Sequence, residues 1–233
     1  MADASVPQAA TPAALQFVRV DLGTRLIDYE RAWELQRDTH ESVASELQVP
    51  TVLMLEHSEV FTAGRRTEPA DRPTDGSEVI DVDRGGRITW HGPGQLVCYP
   101  IVPLPHPLDV VAHVRRMESA IISTCQDFGI TTETVEGRSG VWCAANESAP
   151  DRKIAAIGVR VARGVTMHGL SLNVDCDLGW ADQIVPCGIT DAGVTTMARE
   201  LAPTAAPTMI TVADSLEQHL REVFEPTLTK RPA

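Results

Sequence analysis

Two β-branched runs, 153–161 and 165–174, stand on either side of Arg163-Gly164, and this pairing constrains the fold more than any other feature. Long strand-like segments joined by a short glycine-containing turn form a β-hairpin. The chain therefore contains antiparallel sheet. Further strand-like stretches are predicted at 16–21, 50–56, 79–82, 87–91 and 95–102. Of these, Pro-Thr-Val-Leu-Met-Leu-Glu (50–56) is continuously apolar, as a strand buried on both faces should be.

Three helices complete the pattern, near 27–47, 109–128 and 212–224. The second is the clearest. Val110, Val114, Met117, Ile121, Cys125 and Phe128 step by three or four residues along one stripe, and Gly129 supplies the stop. Strands clustered between a few helices indicate an α+β single domain with mixed, largely antiparallel sheets flanked by helices, rather than βαβ alternation. The polar stretch 64–78 reads as a long loop and 175–195 as irregular. Residues 1–15, rich in Ala and Pro, are expected to be a disordered tail, with the domain over 16–224 and a flexible C-terminal tail over 225–233.

Five cysteines, at 98, 125, 143, 176 and 187, form no Cys-x-x-Cys, which argues against a disulfide framework or a zinc knuckle. No segment has the length of apolar residues that a membrane span needs, and the N-terminus lacks a signal-peptide pattern. A cytoplasmic protein without membrane contact is expected. The net charge of −12 argues against nucleic acid as the main partner. Within that acidic chain Arg65, Arg66, Arg72, Arg84 and Arg87 are gathered into one short stretch, readable as a solvated surface or as a local basic patch.

Three segments concentrate residues capable of chemistry. Arg84-Gly85-Gly86-Arg87-Ile88-Thr89-Trp90-His91-Gly92-Pro93-Gly94-Gln95 brackets a short strand with glycines, which suits either two tight turns or a backbone that approaches a ligand closely. It lacks the spacing of a phosphate loop. Lys153 heads a very apolar strand. Its amine either reaches water, as strand-end lysines usually do, or sits in a partly dry pocket where a lysine can serve as a base. His168, further along the hairpin, reads as a core or sheet histidine. In Ile184-Val185-Pro186-Cys187-Gly188-Ile189 a cysteine lies between proline and glycine, away from any apolar stripe. Such a setting suits an accessible nucleophile, whereas Cys125 belongs to the helix stripe and to the core.

Together with Leu55-Glu56-His57, Thr62-Ala63-Gly64-Arg65 and Gly140-Val141-Trp142, these segments resemble the lipoyl(octanoyl) transferase family, which shares the biotin/lipoate protein ligase fold. The resemblance runs from about Phe17 to the region of residue 200. It implies that Cys187 accepts an octanoyl or lipoyl group as a thioester, with Lys153 as its catalytic partner. The donor would be acyl carrier protein. The acceptors would be lipoyl domains of 2-oxoacid dehydrogenase E2 subunits and the glycine cleavage H protein. Substrate-binding positions fall on Arg84, Gly85, Gly86, Arg87, Ile88, Thr89, Trp90 and His91, on Ala156, Ile157 and Gly158, and on Gly169, Leu170 and Ser171. Ser171 stands where the family usually has alanine, and residues 143–152 read as a variable loop. No cofactor or metal is expected. Two alternatives stay open, an ATP-dependent lipoate or biotin ligase and an acyl-binding module without catalysis.

Overall fold

The computed structural model describes residues 14–147, 149–184 and 192–228. The expected hairpin is β9 (Arg152–Ala162) and β10 (Val165–Asn173), paired antiparallel in unbroken register from Ala162↔Val165 to Ala155↔Leu172. Arg163 and Gly164 both take positive φ (52° and 74°), the backbone that a two-residue turn needs to match strand twist.

Around the hairpin lies a mixed sheet whose other members are β1 (Gln16–Arg19), β2 (Thr51–Leu55), β6 (Gln95–Ile101), β7 (Glu133–Val135), β8 (Arg138–Cys143) and β11 (Gly193–Val194). The order is β1-β2-β6-β10-β9-β8-β7, with β11 pairing β9 in parallel beside Arg152 and Lys153. All contacts except β1–β2 and β11–β9 are antiparallel. A second sheet of three strands, β4 (Val79–Asp81), β3 (Val60–Ala63) and β5 (Ile88–His91), stands beside it in the order β4-β3-β5.

Helices cover both faces of the large sheet. On one side α2 (Val110–Asp127) and α4 (Met209–Phe224) pack on Val52, Met54, Leu96, Cys98, Leu170 and Leu172. On the other, α1 (Tyr29–Ala44) covers Leu53, Leu55, Val97, Tyr99 and Ile101. Strands β2 and β6 thus bury both faces, which explains their continuous apolar sequence. The short α3 (Met197–Leu201) buries Met197.

Several boundaries differ from expectation. Asp28 caps α1 by accepting from Glu30 and Arg31 N–H groups, so the helix starts after Ile27, whose backbone is bridged to His57. On α2, Asp109 is the cap, and Val110 at the head of the expected stripe is 39% exposed; burial begins with His113 and Met117. Its end is as read: the Gly129 N–H donates to Gln126 O and the Ile130 N–H to Cys125 O. The packed body also includes Leu15, whose carbonyl accepts from Arg221, and Leu228 after a 3₁₀ turn at Glu225–Thr227, both within the expected tails.

Candidate functional site

The hairpin strands β9 and β10, the end of β6 and the glycine loop ahead of β5 enclose a cavity of about 520 Å³. Its apolar wall is Ala156, Ile157, Gly158, Gly169 and Leu170, with Ser171 beside them. Three of these are register partners across the hairpin: Gly158 with Gly169, Ile157 with Leu170 and Ala156 with Ser171. Arg84, Gly86, Arg87, Thr89 and His91 form the facing wall. Most of the expected binding residues therefore surround one space.

Three do not line it. Alternation along β5 turns Thr89 and His91 toward the cavity and Ile88 and Trp90 away from it, into a small apolar cluster with Phe61, Cys176 and Leu178. Gly85 acts through its backbone, its N–H donating to Val159 O at 2.9 Å. That contact docks the glycine loop onto β9. A Cβ on Gly158 would meet Arg84 Cδ and Gly85 O, each at 3.1 Å, so the close approach depends on glycine there. Arg84 braces the loop from inside. Its Nη1 donates to Gly85 O and Arg87 O (3.0 and 2.8 Å), and its Nη2 to the carbonyl and hydroxyl of Thr62 (both 2.8 Å).

Lys153 is only 7% exposed, contrary to the usual behaviour of a strand-end lysine. Its Nζ lies 4.7 Å from the centre of the Trp142 ring, a cation–π contact, and has no hydrogen-bond acceptor among the described residues. Together with Thr89, Ala156 and Ser171 it separates the large cavity from a recess of about 50 Å³ that Ile184 and Val194 also line. Val194 is its register partner, and Thr195 N–H donates to Lys153 O at 2.9 Å. Cys187, with its neighbours Pro186, Gly188 and Ile189, lies outside the described residues. The other four cysteines are buried. Burial pushes the thiols of Cys125, Cys143 and Cys176 up to about 12 and raises that of Cys98 further.

Several lining groups have no local sequence signal. Tyr29, from α1, and Tyr99, from β6, border the cavity together with His91 and His168. Desolvation raises the Tyr29 phenol to about 12 and lowers His57, behind Tyr99, to about 4. His57 Nδ1 donates to Ile27 O (2.9 Å), so Nε2 accepts from the Tyr99 hydroxyl at 2.6 Å. His91, also held neutral by burial, donates from Nδ1 to Gln95 Oε1 (2.6 Å). Gln95 Nε2 in turn donates to Asn173 Oδ1 (2.8 Å), and Asn173 Nδ2 to Thr195 O (2.9 Å). His168 adopts φ 56°, rare for a residue with a side chain. It is held there by its N–H donating to Gln36 Oε1 (2.9 Å) and its Nε2 to Asp83 Oδ1 (2.8 Å). The same bond holds the Asp83 carboxyl below its usual range.

This arrangement can take an extended apolar acyl chain against the hairpin wall, beside phenols and imidazoles held neutral by burial and with the buried Lys153 side chain at its edge. Among the described residues no cluster of three or more His, Cys, Asp or Glu could hold a metal, and no helix is long and apolar enough to cross a membrane.

Comparison with known proteins agrees with the sequence resemblance. The family model for the lipoyl protein ligase A/B catalytic domain matches residues 28–221. An octanoyltransferase of Salinispora tropica is 60% identical over 203 residues, covering 86% of this chain and 93% of the relative. One from Streptomyces coelicolor is 49% identical over 250 residues, covering 91% and 94%. Among solved structures, a bipartite lipoate protein ligase from Thermoplasma acidophilum superposes with a TM-score of 0.66 at 15% identity, over 91% of this chain and 83% of that one.

Proposed function

The chain belongs to the lipoyl protein ligase A/B catalytic-domain family, among its octanoyltransferases, and we propose that it carries an octanoyl group from acyl carrier protein through Cys187 to a lysine of lipoyl domains. Those of 2-oxoacid dehydrogenase E2 subunits and the glycine cleavage H protein are the intended acceptors. The Cys187 thiolate adds to the thioester carbonyl of the donor. The intermediate collapses by breaking the bond to the carrier's sulfur, which leaves as a thiolate and takes up the proton that Cys187 gave up. The neutral amine of the acceptor lysine then adds to the acyl-enzyme. It loses a proton and expels the Cys187 thiolate, leaving an amide. Lys153 holds and moves these protons, and its ammonium favours the thiolate. The first exchange trades one thioester for another and the second runs downhill to an amide, so no other reactant is consumed.

The observation that carries this reading is the setting of Lys153. It is buried between an acyl-sized cavity and the recess lined by Ile184 and Val194, and in sequence those two residues flank Cys187. The four remaining cysteines support it by elimination, because thiols buried and shifted upward are poor nucleophiles. An ATP-dependent ligase shares the fold. The likeness to the Thermoplasma lipoate protein ligase, at 15% identity, speaks to fold alone, while the octanoyltransferase relatives are far closer in sequence.

The test is to mix the protein with octanoyl-acyl carrier protein and measure its intact mass before acceptor is added. A hydroxylamine-labile octanoyl adduct on Cys187, absent in Cys187→Ser, is expected. A fully active Cys187→Ser protein would end the covalent mechanism, and activity strictly dependent on ATP would favour the ligase.

A further inference from the structure

The chain carries 20 basic and 32 acidic side chains, so an acidic partner approaching it at random meets repulsion. Around the cavity mouth the balance is inverted, though not by all the arginines that cluster there in sequence. Arg72 is paired with Asp81, and Arg87 with Glu68 (2.8 Å) and Asp71 (3.1 Å). Arg84 is buried against its own loop. Arg65 and Arg66 differ from them. Both are exposed, neither has an ion-pair partner among the described residues, and Arg66 lines the cavity.

Their backbone is also rigidly set. Arg65 N–H donates to Arg84 O at 3.1 Å and Arg66 N–H to Gly86 O at 3.0 Å, so the backbone of both residues is tied to the loop that walls the cavity. Arg65 acts on Asp83 only at a distance, and that carboxylate is already bonded to His168 and Arg160. Two exposed arginines beside the cavity of an acidic protein have an evident complement, an acidic protein surface that must bring a tethered group to that cavity.

Resting on the octanoyl-transfer reading above, we infer that Arg65 and Arg66 form the landing point for the acidic face of the carrier protein that delivers the acyl thioester. The pair selects the donor by its protein surface rather than by its acyl chain. Opposite patches of this kind act mainly on the rate of encounter and weaken as salt rises.

The experiment measures acyl-enzyme formation, with no acceptor present, from three donors: octanoyl-acyl carrier protein, S-octanoyl-4′-phosphopantetheine and S-octanoyl-pantetheine. The first has the acidic surface and the phosphate, the second the phosphate alone, and the third neither. With R65E/R66E the rate constant for the carrier donor should fall about tenfold or more beyond any loss with the two small donors, the scale of electrostatic steering. The wild-type rate with the carrier alone should fall with rising ionic strength. R65A/R66A should give the same ranking with a smaller loss. A loss shared equally with phosphopantetheine would mean that the arginines read the phosphate, and an equal loss with all three that they shape the pocket. Either result overturns the docking surface while acyl transfer stands. Failure of the wild-type protein to form an acyl-enzyme from any donor would instead sink the reading on which the inference rests.

Discussion

Gly169 is the position where the fold and the cavity are most tightly coupled, and Gly169→Ala is the most informative single substitution. The residue lies in β10, between β9 and β6, and borders the cavity. A Cβ built there would sit 2.3 Å from Cys98 O and 2.6 Å from Pro100 Cδ, both on β6. Contacts under 3.0 Å are essentially never made by real Cβ atoms, so β10 and β6 must separate locally by about 0.7 Å to relieve the clash. Neither neighbour is the mobile end of a flexible side chain. Overpacking of this kind costs ~1–3 kcal/mol, and loosening one ladder hydrogen bond adds ~0.5–1.5 kcal/mol. A total of ~1.5–4.5 kcal/mol corresponds to a drop in Tm of roughly 3–18 °C for a domain of this size. Gly129→Ala is the control: its φ is 80° but nothing lies within 4 Å of the added carbon. It should cost only the left-handed backbone penalty of ~1–2 kcal/mol. Thermal melts of both variants decide the matter. A Gly169→Ala protein that melts within about a degree of wild type, or above Gly129→Ala, would refute the argument from contact geometry.

His113 provides a pH test away from the site. It is buried, its ring stacks on Phe224 at 5.2 Å between centroids, and burial lowers its pKa from 6.5 to about 4. The unfolded chain takes up that proton near 6.5 and the folded chain only near 4. Stability is therefore full above about 6.5 and declines as pH falls toward 4, by up to about 1.4 kcal/mol per pH unit for this group. His57, also near 4, adds in the same direction. His113→Phe should make the urea midpoint less sensitive to pH across that window, and an unaltered slope would count against the assignment. Asn173→Ala leaves the buried Gln95 Nε2 with only its longer bond to Trp90 O (3.4 Å) and removes the donor to the buried Thr195 carbonyl, at ~1–3 kcal/mol for a group left without a partner. It should lower Tm and, because Thr195 is bonded to the Lys153 carbonyl, slow acyl-enzyme formation as well. Wild-type values for both would show that this chain of amides is dispensable.

What could be read from sequence follows from the range of the forces involved. The hairpin was legible because its turn and its two strands are determined locally, by Gly164 and by β-branched neighbours. The end of α2 was legible for the same reason. Its beginning was legible to within a residue, Asp109 being the cap, but the burial of Val110 was not, since a periodic stripe does not say how far along the helix its neighbours extend. Strands β3, β7 and β8 escaped notice because three to six residues are too few to establish a period against adjacent glycines and charges. The site divides along the same line. The walls drawn from β9 and β10 were contiguous motifs, and the division of β5 into lining Thr89 and His91 and averted Ile88 and Trp90 is a simple alternation that a run read whole conceals. Tyr29, His57, Tyr99 and His168 are different. They come from α1, the chain after β2, β6 and β10, and each alone looks like an ordinary core aromatic. Only packing brings them together, and only packing deprives them of solvent so that phenols and imidazoles alike stay neutral. Two buried basic side chains remain beside that wall, Arg84 and Lys153. The Arg84 guanidinium is taken up by the backbone of its own loop and by Thr62, whereas Lys153 faces the Trp142 ring and meets no carboxylate among the described residues, as its proposed role in acyl transfer requires.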